Sequence, residues 1–488
     1  MRVLLSTLLV VAASLARPSA ALAQSPTDEP PAAEPAPPPI AEPLAPPTTE
    51  RTDASTVSAT GELITERREV PDYDGREDPG PDAGDVLIWI PRILFGPITL
   101  VLDYGIRRPL GLLMTTAERE AWDAFLFDLF TWNERKSGIV PTFFVAFGIQ
   151  PSVGLSYWSN DEIAEGHQLR LSAAFGGVDF LNASGAYRIT SHGGRTAVGV
   201  RGGAQLRPDN VYSGIGWDAV STQYRFREES YRGSVHLDMR YWRESTLRLE
   251  AGVDGHAFDT NGYVAFATNP GNQSLSTGIQ DGVVERPPGL EGYVAYRQRI
   301  ELSLDTRERE PAPGHGVRVQ AHAELAFDLN EPTDRQWLRY GGGVGGFLDV
   351  GARRVFGLWL LTRFSDPVAS QPVPFTELVE LGQEHLLMQG FLRGQLRGRS
   401  AVAATLEYTY PVWTRLDARL HVSLGNVFGD HLQGFSMDRL RVSFGLGIAT
   451  VGDPDNAFQL GAAAGTAPLV QGAGIDSVQL VFGSRQGF

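Results

Sequence analysis

From Gly138 to the end of the chain, apolar and polar residues alternate with a period of two. Leu440, Val442, Phe444, Leu446 and Ile448 are interleaved with Arg441, Ser443, Gly445, Gly447 and Ala449. Leu416, Ala418, Leu420, Val422 and Leu424 alternate in the same way with Asp417, Arg419, His421, Ser423 and Gly425, and the pattern recurs from Val317 to Asp328. Further segments lie at 167–176, 180–190, 195–206, 231–242, 245–258, 294–305, 402–413 and 477–488. Each has one apolar face and one polar or glycine-rich face, as a strand buried on one side requires. A soluble β-sandwich alternates too. Strand length decides: several segments exceed ten residues, as tilted membrane-crossing strands do. Tyr241, Trp242, Tyr408, Tyr410 and Trp413 gather near strand ends, like an interfacial girdle, and Val478, Leu480, Phe482 and Phe488 share one parity in the last segment. Residues 138–488 shared among about 16 strands give roughly 22 residues per strand and connection, a suitable allotment. The pattern predicts an all-β membrane protein: a closed antiparallel transmembrane β-barrel of about 16 strands, apolar outside, with Arg, Glu, Asp and His lining a hydrated lumen. The glycines at 341–343 and 345–346 fall within one such strand, which points to close packing or curvature rather than a phosphate loop.

The chain ahead of this region has a different character. Met1 and Arg2, an apolar run from Val3 to Leu15 and Ala21-Leu22-Ala23 form a secretory signal over 1–23. Residues 24–82 are Pro-rich, and 25–82 carry fourteen acidic against four basic residues. Such a stretch buries too little apolar surface to offset its ordering entropy, so it is expected to be a disordered arm. In 83–137 the spacing of Trp122, Phe125, Leu126, Leu129 and Phe130 predicts short amphipathic helices at the periplasmic side.

Composition narrows the function. Lys and Arg total 42 against 57 Asp and Glu, a net charge of −15, which excludes a general nucleic-acid binder. The absence of cysteine removes disulfides, thiol nucleophiles and thiolate metal sites. After position 25 no run of 18 apolar residues occurs, so helical spans are not expected. The histidines show no H-x-x-x-H spacing, and no G-x-S-x-G elbow occurs. His236, His256, His322 and His421 fall on polar strand faces and are expected to be hydrated pore-lining residues. The acidic pairs Glu228/Glu229 and Glu377/Glu380 read as solvated loops and strand ends. No enzyme activity, cofactor or metal is expected.

The segment from Glu377 to Val412 carries the most specific signal: Glu380-Leu381-Gly382, Met388-Gln389-Gly390-Phe391, then Leu406-Glu407-Tyr408-Thr409-Tyr410-Pro411. It resembles the bacterial surface antigen family, the BamA/TamA type of outer-membrane barrel. In that family an Arg-Gly-Phe/Tyr tripeptide precedes the twelfth of sixteen strands, and here four strands follow the one bearing Glu407. The resemblance implies that residues 366–399 form the sixth extracellular loop, folded back into the lumen. Gly390 would permit a tight turn there, and Phe391 would pack on the inner wall. Gln389 stands where the family has arginine, and Ser423 where its acidic partner lies. An unpaired buried charge is costly, so a neutral Gln389 hydrogen-bonding near Ser423 is consistent. Arg393, Arg397 and Arg399 are fallback cations, with Glu407 as a possible partner. The periplasmic POTRA domains of the family's assembly members have no counterpart in 25–137.

Three functions follow. Assembly or translocation of outer-membrane or exported polypeptides, in the outer membrane of a Gram-negative bacterium, ranks first on the resemblance. It would use a weak seam between the first strand, at Phe143–Ile149 or Ser152–Trp158, and the last. A channel for small solutes or ions gated by loop 366–399 ranks close behind. A structural or tethering barrel whose arm, residues 25–82, binds a periplasmic partner is the third. Outer-membrane lipid is the common surrounding.

Overall fold

The computed structural model describes residues 128–146, 148–191, 193–219, 222–261, 272–307, 314–351, 353–382, 387–413, 416–450 and 458–484. The signal, the acidic arm, most of the expected helical segment and Phe488 lie outside them. The described chain forms β1 (Thr131–Trp132), β2 (Ser137–Ala146), β3 (Ser152–Asn160), β4 (His167–Gly177), β5 (Phe180–Thr190), β6 (Thr196–Tyr212) and β7 (Gln223–Trp242). There follow β8 (Ser245–Asp259), β9 (Asn272–Ser274), α1 (Leu275–Gln280), β10 (Tyr293–Asp305), β11 (Gly316–Asp328), β12 (Gln336–Asp349) and β13 (Val355–Pro367). The series ends with β14 (Val379–Leu381), β15 (Leu396–Gly398), β16 (Ser400–Trp413), β17 (Leu416–Phe428), β18 (Arg441–Thr450), β19 (Phe458–Thr466) and β20 (Ile475–Ser484). Among the described residues no helix is long and apolar enough to cross a membrane.

Twenty strands are therefore present among the described residues where the sequence pattern gives about sixteen. The difference lies in four short segments, β1, β9, β14 and β15, too brief to register as a period. The sixteen long strands pair antiparallel with their sequence neighbours from β2 through β8, β10 through β13 and β16 through β20. β20 then pairs with β2 through Phe144–Gly483, Val145–Phe482 and Ala146–Val481, so the ladder returns to its start. Within the segment 83–137, where short helices are expected, Thr131–Trp132 instead forms β1, which pairs with the start of β2. Positive φ at Asn133, Glu134 and Arg135 makes that reversal.

Polarity across the sheet is inverted relative to a soluble sandwich. Outward Val153, Leu155, Leu358, Val422, Leu446 and Leu480 are exposed, whereas inward Ser234, Glu324, Thr405, Ser423 and Ser443 are buried. Outward aromatics cluster at both edges. Phe356, Tyr408 and Tyr410 stack near one, and the pairs Tyr296–Phe327 and Tyr340–Phe364 near the other. The connections sort by edge as well. Turns such as the one between Trp242 and Ser245 are at the first edge, and the long segments 260–292 and 368–399 are at the second.

Two inward walls differ in chemistry. On β7 to β12 carboxylates alternate with guanidinium groups. Asp254 lies 3.1 Å from Arg232 and 2.8 Å from Arg297, and Glu324 lies 3.2 Å from Arg339. On β18 and β19 the facing inward pairs are Ser443–Gly465, Gly445–Ala463 and Gly447–Gly461, small and uncharged. At the long-connection edge the interior turns apolar, where Tyr212, Tyr224, Phe226, Leu275, Tyr293, Trp337 and Phe375 form one buried cluster. Phe226 and Phe375 meet edge to face at 5.3 Å. Trp337→Ala is expected to cost about 3–5 kcal/mol in urea denaturation, the range for deleting a buried aromatic. Val178→Ala, at an exposed hairpin tip, is expected to stay within about 0.5 kcal/mol.

Candidate functional site

The segment between β13 and β16 starts and finishes at the long-connection edge and reaches across the interior. Its base is a single 3-10 turn, Phe375–Glu377. The Glu377 side chain is buried and ringed by polar partners from three strands. The Tyr293 hydroxyl donates to Oε1 at 2.8 Å, Arg339 Nη1 donates to Oε2 at 2.8 Å, and His256 Nε2 lies 3.9 Å away. His256 Nδ1 in turn lies 2.8 Å from Glu228 Oε1, and the Ser365 hydroxyl donates to the Glu377 carbonyl at 3.0 Å. Burial opposes the charged form of Glu377, but Arg339, His256, Tyr293 and Arg297 outweigh it and hold the carboxyl down at about 2.

Beyond the base, β14 and β15 form a two-stranded hairpin in which Glu380 faces Arg397. Arg397 is buried; its Nε donates to Glu380 Oε1 at 3.0 Å, and its guanidinium sits 5.0 Å from the Phe375 ring centre. Arg393 Nε, at the exposed surface, reaches the other carboxylate oxygen at 3.3 Å.

The tip, Met388–Phe391, meets the small-residue wall. The Gly390 amide donates to the Ser443 hydroxyl at 2.8 Å. A Cβ on Gly390 would fall 2.2 Å from the Ala464 carbonyl carbon, so no other residue fits. Phe391 is fully buried with its ring over Gly465, where a Cβ would come within 2.5 Å of it. Positive φ falls at Met388, not at Gly390. Glycine at 390 thus serves close approach to β19 rather than the tight turn the resemblance implies.

Several sequence expectations are corrected by this geometry. The acids at 228, 377 and 380 are not free solvated ends: Glu377 is buried, Glu228 and Glu380 are partly covered, and all three form the ion pairs just described, because inward strand positions and an in-folded loop bring them against basic side chains. His236 and His421 are buried rather than hydrated, and the His256 side chain is 8% exposed. Arg393 and Arg397 engage Glu380 of their own loop, not Glu407, which accepts from the Thr409 hydroxyl at 3.0 Å. Ser423 pairs with the Thr405 hydroxyl at 2.8 Å, and it is the cross-strand neighbour of Ser423, Ser443, that receives the tip. Gln389 is half-buried beside this contact. Arg399 reaches Asp366 and Asp430. Phe482 faces outward and packs against Phe143 across the β2–β20 seam, ring centres 5.2 Å apart. The anchoring roles of Tyr293, Arg339, His256 and Ser443 had no local sequence signal, since each sits in an ordinary alternating strand.

This chain, whose sixteen long antiparallel strands have a loop before the twelfth folded onto the inner wall, is similar to the solved structure of BamA from Haemophilus ducreyi lacking POTRA domains 1–3. Its TM-score is 0.50 at 13% identity, over 72% of this chain and 70% of that one. The fold is that of the BamA barrel. CdiB from Acinetobacter baumannii also aligns, with TM-score 0.44 and 12% identity, over 72% of this chain and 59% of that one. No family model matches the sequence, and no curated protein does.

Two outcomes are expected at this site. Gly390→Ala should unseat the tip from β19, read as at least tenfold faster tryptic cleavage after the neighbouring Arg393. The Glu377 anchor has its own pH signature. Its folded value, about 2, lies below the ordinary value of 4.5 for a glutamate, so its stabilisation is complete above that value and lost as pH falls towards 2. Wild type should therefore loosen between pH 4.5 and 2 in tryptophan fluorescence, and Glu377→Gln should flatten that part of the profile.

Proposed function

We propose that this protein is a closed sixteen-stranded transmembrane barrel in a Gram-negative outer membrane, where it helps polypeptides insert into or cross that membrane. The seam is the observation that carries this reading. Among the described residues β2 and β20 share three cross-strand pairs, Phe144–Gly483, Val145–Phe482 and Ala146–Val481. At 148–150 the chain lies outside the sheet. Ile149 turns inward to pack with Val211 and Leu392, and the Gln150 amide donates to the Asp209 carboxylate at 2.6 Å. Among the described residues, 148–150 therefore make no ladder pair with Ser477–Gln479 of β20. A strand edge left open in this way can template an incoming strand by main-chain hydrogen bonds. Lipid as surrounding is supported by the outward apolar belt and its aromatic edges.

An open solute channel is the weaker reading, because the apolar cluster around Phe375 and Trp337 occupies the long-connection end of the interior. The tethering role of residues 25–82 concerns a segment outside the described residues.

The natural chain lacks cysteine, so a Val145→Cys/Phe482→Cys pair, opposite one another across the seam, gives a clean cross-link. Oxidation is expected to abolish the insertion of a newly translated outer-membrane protein into vesicles holding this barrel, and reduction to restore it. Undiminished insertion with the seam locked would overturn the assembly reading.

A further inference from the structure

The loop tip lacks an arginine of its own, yet a buried guanidinium lies against it from the wall. Arg441, the first residue of β18, is 2% exposed, and its guanidinium carbon is 5.7 Å from the Phe391 ring centre. Nη1 donates to Asp476 Oδ2 at 2.8 Å and to the Thr466 carbonyl at 3.3 Å, and Nη2 donates to the Ala219 carbonyl at 3.3 Å. The Thr466 hydroxyl accepts from the Val442 amide at 3.0 Å. One side chain thereby joins the end of β19, the start of β20, the connection between β6 and β7, and the loop tip.

The position of Asp476 gives this arrangement its meaning. The β19–β20 register shifts between Gly465–Ser477 and Thr466–Ile475, leaving Asp476 as an extra residue in β20. Such a bulge turns its side chain out of alternation, here inward to Arg441. The bulge immediately precedes Ser477–Gln479, which have no ladder pair with β2 among the described residues. Burying both ions is costly, and apolar packing would hold the strands at least as well. What the ion pair adds is a contact that can break as a unit.

We propose that Arg441 is a positioning residue that couples the tip of the in-folded loop to the last strand. While Arg441 holds Asp476 and Phe391 together, the long-connection end of β20 is fixed. When Phe391 leaves, the pair weakens and the open edge of β20 is freed for an incoming chain. This rests on the assembly reading for its purpose but not for its geometry.

Hydrogen exchange read by mass spectrometry on the full-length protein in vesicles tests the coupling. The isosteric Asp476→Asn and the conservative Arg441→Lys are the variants, with Arg441→Gln as the full removal. Exchange at 475–480 and at 387–392 is expected to rise together, at least tenfold, with β8 to β11 unchanged. The double variant Arg441→Gln/Asp476→Asn should add little to either single change, since both break one contact. A rise in only one of the two segments, a uniform rise around the ring, or no rise at all would overturn the coupling. Coupled exchange with unaltered polypeptide insertion would instead leave the clamp standing and count against the assembly reading.

Discussion

The constraint on which the whole structure depends is that backbone N–H and C=O groups must find partners within the sheet itself. A sheet whose outward face is greasy can expose that face only if no edge is left over for water or lipid to meet. Pairing each long strand with its neighbours, and the last with the first, meets the demand. Everything else follows from it: the outward apolar residues, the inward hydroxyls and ion pairs, and the tolerance of glycine along inner walls where no side chain needs packing. The chain spends its unusual residues near the seam between the last long strand and the first. A bulge, a buried arginine and an inward-turned β2 all lie within a few residues of it.

The loop that crosses the interior is held by two different kinds of physics. At its base, charge does the holding, with a carboxylate sharing a tyrosine hydroxyl, a guanidinium and an imidazole. At its tip, shape does it, with an aromatic ring lying on a glycine and a glycine pressed against a carbonyl. Charge tolerates small displacements because it acts over distance, whereas such close packing does not. The base is therefore the firm point about which the tip can lift.

Much of the fold was legible because inside and outside repeat every second residue: β5 begins and ends where its alternation does, and β17 begins where its alternation begins. The short strands escaped, because two or three residues cannot display a period. The tip motif was legible through order and spacing, yet the reason for Gly390 was not, since close approach to Ala464 depends on a strand more than seventy residues away. Glu377 looked solvated for the same reason. Its partners Tyr293, Arg339 and His256 come from three strands, and nothing near position 377 announces them. Sequence shows which residues share a face; only register shows which of them meet.

The charged inner wall also bears on how such a barrel can change over time. Asp254 serves Arg232 and Arg297 at once, and Glu324 serves Arg339 while Arg339 also serves Glu377. No member of such a chain can be exchanged alone without stranding a neighbour's charge. Drift on this wall must proceed by concerted replacements of two or three residues, while the greasy exterior is free to swap one branched side chain for another. Two barrels can then hold one architecture with few identities in common, and the residues that vary together would trace the ladder of ion pairs.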